Sequence, residues 1–315
     1  MYYIGIDLGG TNVAAGVTDK EGRLLGKASI PCPRGVEAIA DAMAESARLA
    51  AQEANIPLEE CASVGVASPG SIDPAKGIVF HAFNLGLDHV PLAQMVSDRL
   101  GGIPTLLEND ANAAALGEYV AGAGKGKNSL VAITLGTGVG SGAVLEGKLY
   151  TGFNYAAFES GHMVIHRGGR PCTCGRKGCW EAYASATGLI KSAREAMEAH
   201  PESALWKFAP TLEEVTGKTP FDAAQAGDAV AQAVLDEYIE DLVCGLANMI
   251  NILQPEVLCI GGGICKQGEN LMKPLRAVLD REEFTKDAAH RTQVCIAKLG
   301  NDAGIIGGAM LPLYR

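Results

Sequence analysis

Two stretches far apart in the chain share one design. "IDLGGTNVAAGV" begins at Ile6 and "ITLGTGVGSGAV" at Ile133. In each, a short apolar run meets a Gly/Thr turn and continues as a second apolar run. Alternating apolar residues around such a turn predict a β-hairpin. One hairpin in each half predicts two similar lobes facing a cleft. Strands are expected at Tyr3–Leu8, Val13–Thr18 and Leu24–Ser29. Helical spacing follows in "AIADAMAESARLAAQEA", where Ile39, Met43, Ala47 and Ala50 recur on one face. "PTLLENDANAAALGEYVAG" reads as a strand and then a helix opened by Asn109 and Asp110. "AVAQAVLDEYIEDLVCGLANMINILQ" is a long amphipathic helix stopped by Pro255, and "EVLCIGGGI" is a buried strand running into three glycines. "GIIGGAMLPLY" closes the chain as a helix. The fold class is α/β.

Length supports this division, since 315 residues suit two domains or one large two-lobed unit. A hydrophobic fraction of 48% with 20% charged residues is globular, not disordered. The net charge of −10 argues against general nucleic-acid binding and against docking on anionic membranes. The opening "MYYIGIDLGG" has no cationic segment of a signal peptide, and no run reaches the length of a membrane span. Of nine cysteines, six are scattered singly, which reads as reduced thiols of a cytoplasmic protein plus one cluster.

The turns are rich in glycine for a chemical reason. A polyphosphate needs many N–H donors and close backbone approach. Gly9, Gly10, Gly136, Gly138, Gly140 and Gly142 permit both, and Thr11, Asn12 and Thr137 add side-chain donors. Asp7, just before the first turn, can hold Mg²⁺ through water. A single turn of this kind is as well explained as a tight hairpin. Two matched turns plus Gly261, Gly262 and Gly263 favour a nucleotide. Neither a GxxxxGK[ST] loop nor a dinucleotide-binding GxGxxG-to-helix pattern is present. The nucleotide is therefore expected between lobes.

"GHMVIHRGGRPCTCGRKGCWE" places Cys172, Cys174 and Cys179 within eight residues, with His162 and His166 upstream. Three cysteines and one histidine suit a closed, four-coordinate structural Zn²⁺ site. Spacing alone does not choose between the two histidines. "ENDAN" offers Asp110 as a carboxylate at a strand end, although an isolated "ND" is better read as a plain helix cap.

The two hairpins, "LENDANAAALGE", "ESGH" and "CxCGxxGCxE" together resemble the ROK family of bacterial sugar kinases, within the actin-like ATPase and sugar-kinase superfamily. The resemblance covers essentially the whole chain, with the motifs in the family's order. It implies two ribonuclease-H-like lobes: a small lobe over 1–118, with a helix at 303–315 packing back on it, and a large lobe over 119–302. It implies ATP with Mg²⁺ as donor, and Gly261–Gly263 on the adenosine side. It makes Asp110 the catalytic base and Asn109 a ligand of a sugar hydroxyl, since phosphoryl transfer to an alcohol needs a group to accept or orient the proton. It selects His162, with Cys172, Cys174 and Cys179, for zinc. The zinc would fix a sugar clamp of Glu159, His162 and Glu181, supporting binding and not chemistry. Asn84 in "FNLGLDHVPL" and Gly70 in "ASPG" match sugar-side positions. His166 reads as a satisfied histidine.

The resemblance implies phosphorylation of glucose to glucose 6-phosphate, with fructose, mannose or an N-acetylhexosamine as alternatives. "NYAAFESGH" departs from the family's "NGAAGEIGH"-like pattern, so Tyr155, Phe158 and Ser160 are expected to reshape the mouth of the pocket. A polyphosphate donor would call for a basic groove, and none shows. A sugar-responsive repressor of the same family would carry a helix-turn-helix before the first hairpin, which here begins at Tyr2. A homodimer or homotetramer is expected, with no nucleic-acid or membrane partner.

Overall fold

A computed structural model describes residues 1–314. The chain starts with strands β1 (Tyr2–Leu8), β2 (Asn12–Thr18) and β3 (Leu24–Pro31), then helix α1 (Val36–Glu53) and strand β4 (Cys61–Ser68). Short strands β5 (Ser71–Asp73), β6 (Ile78–Ala82) and β7 (Leu87–Val90) precede α2 (Leu92–Arg99), β8 (Thr105–Asn109) and α3 (Asp110–Val120). Next come β9 (Leu130–Leu135), β10 (Val139–Leu145) and β11 (Lys148–Tyr150). Helices α4 (Glu181–Ala184), α5 (Ala186–Ala199), α6 (Leu205–Phe208), α7 (Thr219–Gln225) and α8 (Ala229–Leu253) follow. The chain ends with β12 (Val257–Gly262), α9 (Glu269–Glu282), β13 (Gln293–Ile296) and α10 (Ala303–Tyr314).

The two hairpins read from sequence head two sheets of one design. The first sheet has the order β3-β2-β1-β4-β8 and the second β11-β10-β9-β12-β13. Counted within each sheet, both follow 3-2-1-4-5, the ribonuclease-H-like arrangement expected. In the first, β1 pairs antiparallel with β2 and parallel with β4, and β4 pairs parallel with β8. In the second, β10 and β11 are antiparallel and β12 and β13 parallel. The expected strands are found, with β3 running on to Pro31 because Asn12 extends the β2–β3 ladder to pair with it. A third sheet, β5-β6-β7, is antiparallel throughout.

By packing, the described residues divide into one unit of Met1–Ala132, Gly142–Phe158 and 297–314 and another of Ile133–Ser141 and Glu159–Ile296. Residues 119–132 and 142–158 thus group with the amino-terminal segment. In the first unit β1 is buried on both faces, by α1 on one side and α10 on the other. Glycine makes the second contact possible. A Cβ at Gly5 would collide with Ile305 O, and one at Gly65 with Gly308 O, so α10 lies directly on the strand backbone. Gly117 and Gly307 allow the same close approach between α3 and α10.

The second unit is organised on α8. Asp228 caps its start by accepting from Ala231 N at 2.7 Å. It stops at Leu253, ahead of Pro255 as the proline predicts, with a left-handed Gln254 between them. Helices α4, α5, α7 and α9 pack around it. Trp180 is fully buried against Gly245 of α8 and donates Nε1–H to Asp241 O at 3.0 Å. No helix among the described residues is long and apolar enough to cross a membrane.

Candidate active site and metal centre

On the first unit, Asp7 lies near the end of β1, and the turn Gly9–Asn12 follows it. Gly9 N donates to Asn12 O at 3.0 Å, which closes the turn and leaves Gly10, Thr11 and Asn12 exposed. The parallel neighbour β4 leads to Pro69 and Gly70, and β8 leads into Asp110, the first residue of α3. Asn109 caps α3, its Oδ1 accepting from Ala111 N at 2.9 Å and Asn112 N at 3.3 Å, while its Nδ2 donates to Gly70 O at 3.4 Å. Asp110 Oδ1 also accepts from Ala111 N, at 2.9 Å. The helix-start reading of "ND" thus falls to Asn109, and Asp110 stands next to it as the first residue of α3.

Burial, and then the neighbouring Asp110, raises the Asp7 pKa to about 6. Two carboxylates far apart in sequence thus share one electrostatic environment, a common signature of a reactive site. The Asp7 carboxylate also lies over Gly304 in the first turn of α10, where a Cβ would stand 2.8 Å from Oδ2. Asn84, on the turn between β6 and β7, comes near Gly10: a Cβ there would meet Asn84 Nδ2 at 3.5 Å.

Glu108 was not singled out by sequence reasoning. It is fully buried, and its Oε1 accepts from Asn109 N at 2.9 Å and Asn112 Nδ2 at 3.1 Å. It holds the strand-to-helix junction that presents Asn109 and Asp110. Its acidic type directly before an "ND" helix start was the available signal.

On the second unit, Gly136, Thr137 and Gly138 form the turn of the second hairpin, with Gly136 N donating to Gly138 O at 3.0 Å. Gly262 has φ of 104° and packs on Leu135, while Gly136 and Gly263 have open space where a Cβ would stand. The first glycine of that triplet, Gly261, still belongs to β12.

The cysteine loop is built by short local bonds. Gly175 N donates to Cys172 O at 3.0 Å and Cys172 N to Arg176 O at 2.9 Å, turning the chain so that Cys172 and Cys174 converge. The bridge between Val164 and Cys179 closes the loop, and buried Trp180 anchors it. One donor atom from each of His162, Cys172, Cys174 and Cys179 lies within 4.8 Å of the others. A tetrahedral zinc with thiolate and imidazole ligands requires S···S separations of about 3.8 Å and S···N separations of about 3.6 Å. Cys174 Sγ and Cys179 Sγ are 3.7 Å apart, and Cys172 Sγ is 3.6 Å from His162 Nδ1. The donor set fits zinc through Nδ1, leaving His162 Nε2 for another partner. Burial pushes the Cys179 thiol up to about 12, whereas the Arg176 amide lowers Cys174. His166 is paired instead with Asp241, Nε2 to Oδ1 at 2.5 Å, which accounts for it as a satisfied histidine.

Glu181 joins two features that the sequence keeps on separate segments. Its Oε1 lies 3.8 Å from Cys172 Sγ, and its Oε2 accepts from Val139 N at 3.0 Å. A Cβ at Gly138 would collide with the same carboxylate. The cysteine loop therefore buttresses the second glycine turn. Glu159 is exposed and precedes His162 by one short helical turn, His162 N donating to Glu159 O at 3.0 Å. Ser160 is not placed to shape a pocket mouth: it is buried, with Oγ 2.6 Å from Ser141 Oγ. Tyr155 and Phe158 both adopt positive φ, 63° and 66°, and Phe158 packs edge-on against Tyr150.

The chain is 38% identical to a glucokinase of Halalkalibacterium halodurans, over 98% of this chain and 94% of that one. It is 39% identical to a glucokinase of Thermotoga maritima, over 98% and 96%. Among solved structures it is similar to a ROK family glucokinase from Streptomyces griseus in complex with glucose and AMPPNP, at TM-score 0.81 and 36% identity, covering 99% of each chain. The ROK family profile matches residues 3–314. With fold, motifs and family profile coinciding along its whole length, the chain belongs to the ROK family.

Proposed function

We propose that this chain is a sugar kinase that transfers the γ-phosphoryl group of ATP to glucose, forming glucose 6-phosphate. The observation that carries this reading is Asp110. It follows β8 on the first turn of α3, held there by the buried Glu108–Asn109 junction, within electrostatic reach of Asp7, whose strand leads into the turn with Gly10, Thr11 and Asn12 exposed. The full-length likeness to glucokinases, one of them solved with glucose and AMPPNP, supports it.

In this reading the Asp110 carboxylate accepts the proton of the sugar 6-hydroxyl as its oxygen attacks the γ-phosphorus. The bond to the β-phosphate oxygen breaks and ADP leaves. Asn84, Asn109, Glu159, His162 and Glu181 pair with the other hydroxyls, Gly70 O helping to orient Asn109. Backbone N–H groups of the two glycine turns, other than Gly9 N and Gly136 N that close them, bind the phosphates, and Gly261–Gly263 line the adenosine side. Asp7 would hold the hydrated Mg²⁺ that neutralises the phosphates when bound. His162, Cys172, Cys174 and Cys179 would hold a structural zinc, whose chemistry is confined to fixing His162 and the loop before Glu181. Free cysteines throughout the described residues support a reducing, cytoplasmic setting.

The test is a panel of glucose, mannose, fructose and N-acetylhexosamines with ATP–Mg²⁺. ADP release is followed, and the phosphorylated position is read by NMR. Glucose as the best acceptor, phosphorylated at the 6-hydroxyl, is the expected result. No sugar-dependent ADP release with any acceptor would overturn the proposal.

A further inference from the structure

Outside the residues given roles above, the β6–β7 hairpin gathers three metal-ligating side chains. We propose that His81, Asp88 and His89 form a surface site for a divalent transition-metal ion, distinct from the cysteine cluster. His81 and Asp88 are direct cross-strand partners, so their side chains share a face of the hairpin. His89 would ordinarily point to the other face, because side chains alternate along a strand. It does not, because its φ is 52°, a left-handed conformation that turns it back toward its neighbour. His81 Nδ1 lies 3.0 Å and His89 Nδ1 2.8 Å from the same Asp88 Oδ1. One donor atom from each of the three lies within 4.8 Å of the others.

The rings are also held in place. Phe83 stacks on His81 with centroids 5.6 Å apart, and Phe80 meets His89 edge-on at 5.6 Å. The two imidazoles meet each other edge-on at 5.3 Å. All three ligands are exposed, so an ion reaches them directly and water completes its shell.

The chemistry selects the ion. Two imidazoles and one carboxylate suit Zn²⁺, Ni²⁺ or Cu²⁺, whereas Mg²⁺ and Ca²⁺ prefer all-oxygen shells. An ion here would cross-link β6 to β7 on either side of the Phe83–Leu85 turn that carries Asn84.

The experiment uses the purified, tag-free protein with whatever metal its cysteines retain, titrated with ZnCl₂ by calorimetry, with MgCl₂ as control. One further equivalent of zinc beyond that already held is expected, and none of magnesium. Asp88→Asn and His81→Ala should each weaken it by about tenfold or more. His89→Asn should do the same while keeping the left-handed backbone, which asparagine tolerates. Bound zinc should slow hydrogen exchange of β6 and β7 in the wild type only. Uptake of no further equivalent, or an equal second equivalent in all three variants, would overturn the proposal.

Discussion

Asp7→Asn tests the electrostatics of the candidate site without any ligand. In the folded chain burial, and then Asp110, raises Asp7 from 3.8 to about 6. A carboxylate with a raised pKa binds its proton more tightly in the folded than in the unfolded state. Its contribution to stability is therefore fully present below pH 3.8 and is lost as pH rises through about 6. A tenfold difference in proton affinity is worth about 1.4 kcal/mol, so ionised Asp7 costs the folded chain about 3 kcal/mol at neutral pH. Asparagine carries no charge to desolvate and fits the same space. Asp7→Asn should therefore be more stable than wild type by about 2–3 kcal/mol at pH 7.5, and this excess should shrink toward pH 4. Hydrogen exchange of β1 and β4 amides, in buffer free of nucleotide and Mg²⁺, reads the amino-terminal sheet alone. Titrating groups that do not interact with Asp7 cancel in the difference between the two proteins, which leaves Asp110. In an Asp110→Asn background the excess should fall but persist, since burial is the larger cause. A variant no more stable than wild type at pH 7.5, or an excess independent of pH, would refute the reasoning. Stability gained by removing a charged site residue is the usual sign of function maintained at the expense of stability.

Asp110→Asn should lower kcat by about 10²–10⁴ while glucose affinity by calorimetry stays within a few-fold, and near-normal kcat would remove Asp110 from its role. Elemental analysis should find about one zinc per chain at the cysteine cluster, and Cys174→Ser should release it. Because Glu181 also holds Val139 N, that variant should raise KM for both sugar and ATP, by about tenfold or more for the sugar; an unchanged sugar KM in zinc-free protein would refute the clamp. Gly136→Val should weaken ATP binding with little loss of stability, since a side chain there meets nothing in the fold. Gly10→Val is the poorer probe, because its Cβ would already touch Asn84, itself a proposed sugar ligand.

What the sequence determined by itself was local. The β1–β2 and β9–β10 hairpins were legible because strand alternation and Gly/Thr turns lie within a dozen residues. Helix α8 was legible from its period and from Pro255, and the cysteine cluster from ligands that are neighbours in the chain. The pairing of two like hairpins foretold two like sheets. Tertiary structure decided what depends on register and on close packing. Asp7 meets the field of Asp110 only because β1 and β8 flank β4 in parallel, so their ends emerge together. Glu181 accepts from Val139 N, 42 positions away, and stands next to Trp180, which is buried against Gly245. Gly5 and Gly65 read as ordinary strand residues until α10 is laid on them. His81, Asp88 and His89 converge through one left-handed residue, whose φ no periodicity encodes. The first three rest on contacts between distant segments, and local pattern says nothing of the partner that a folded chain brings.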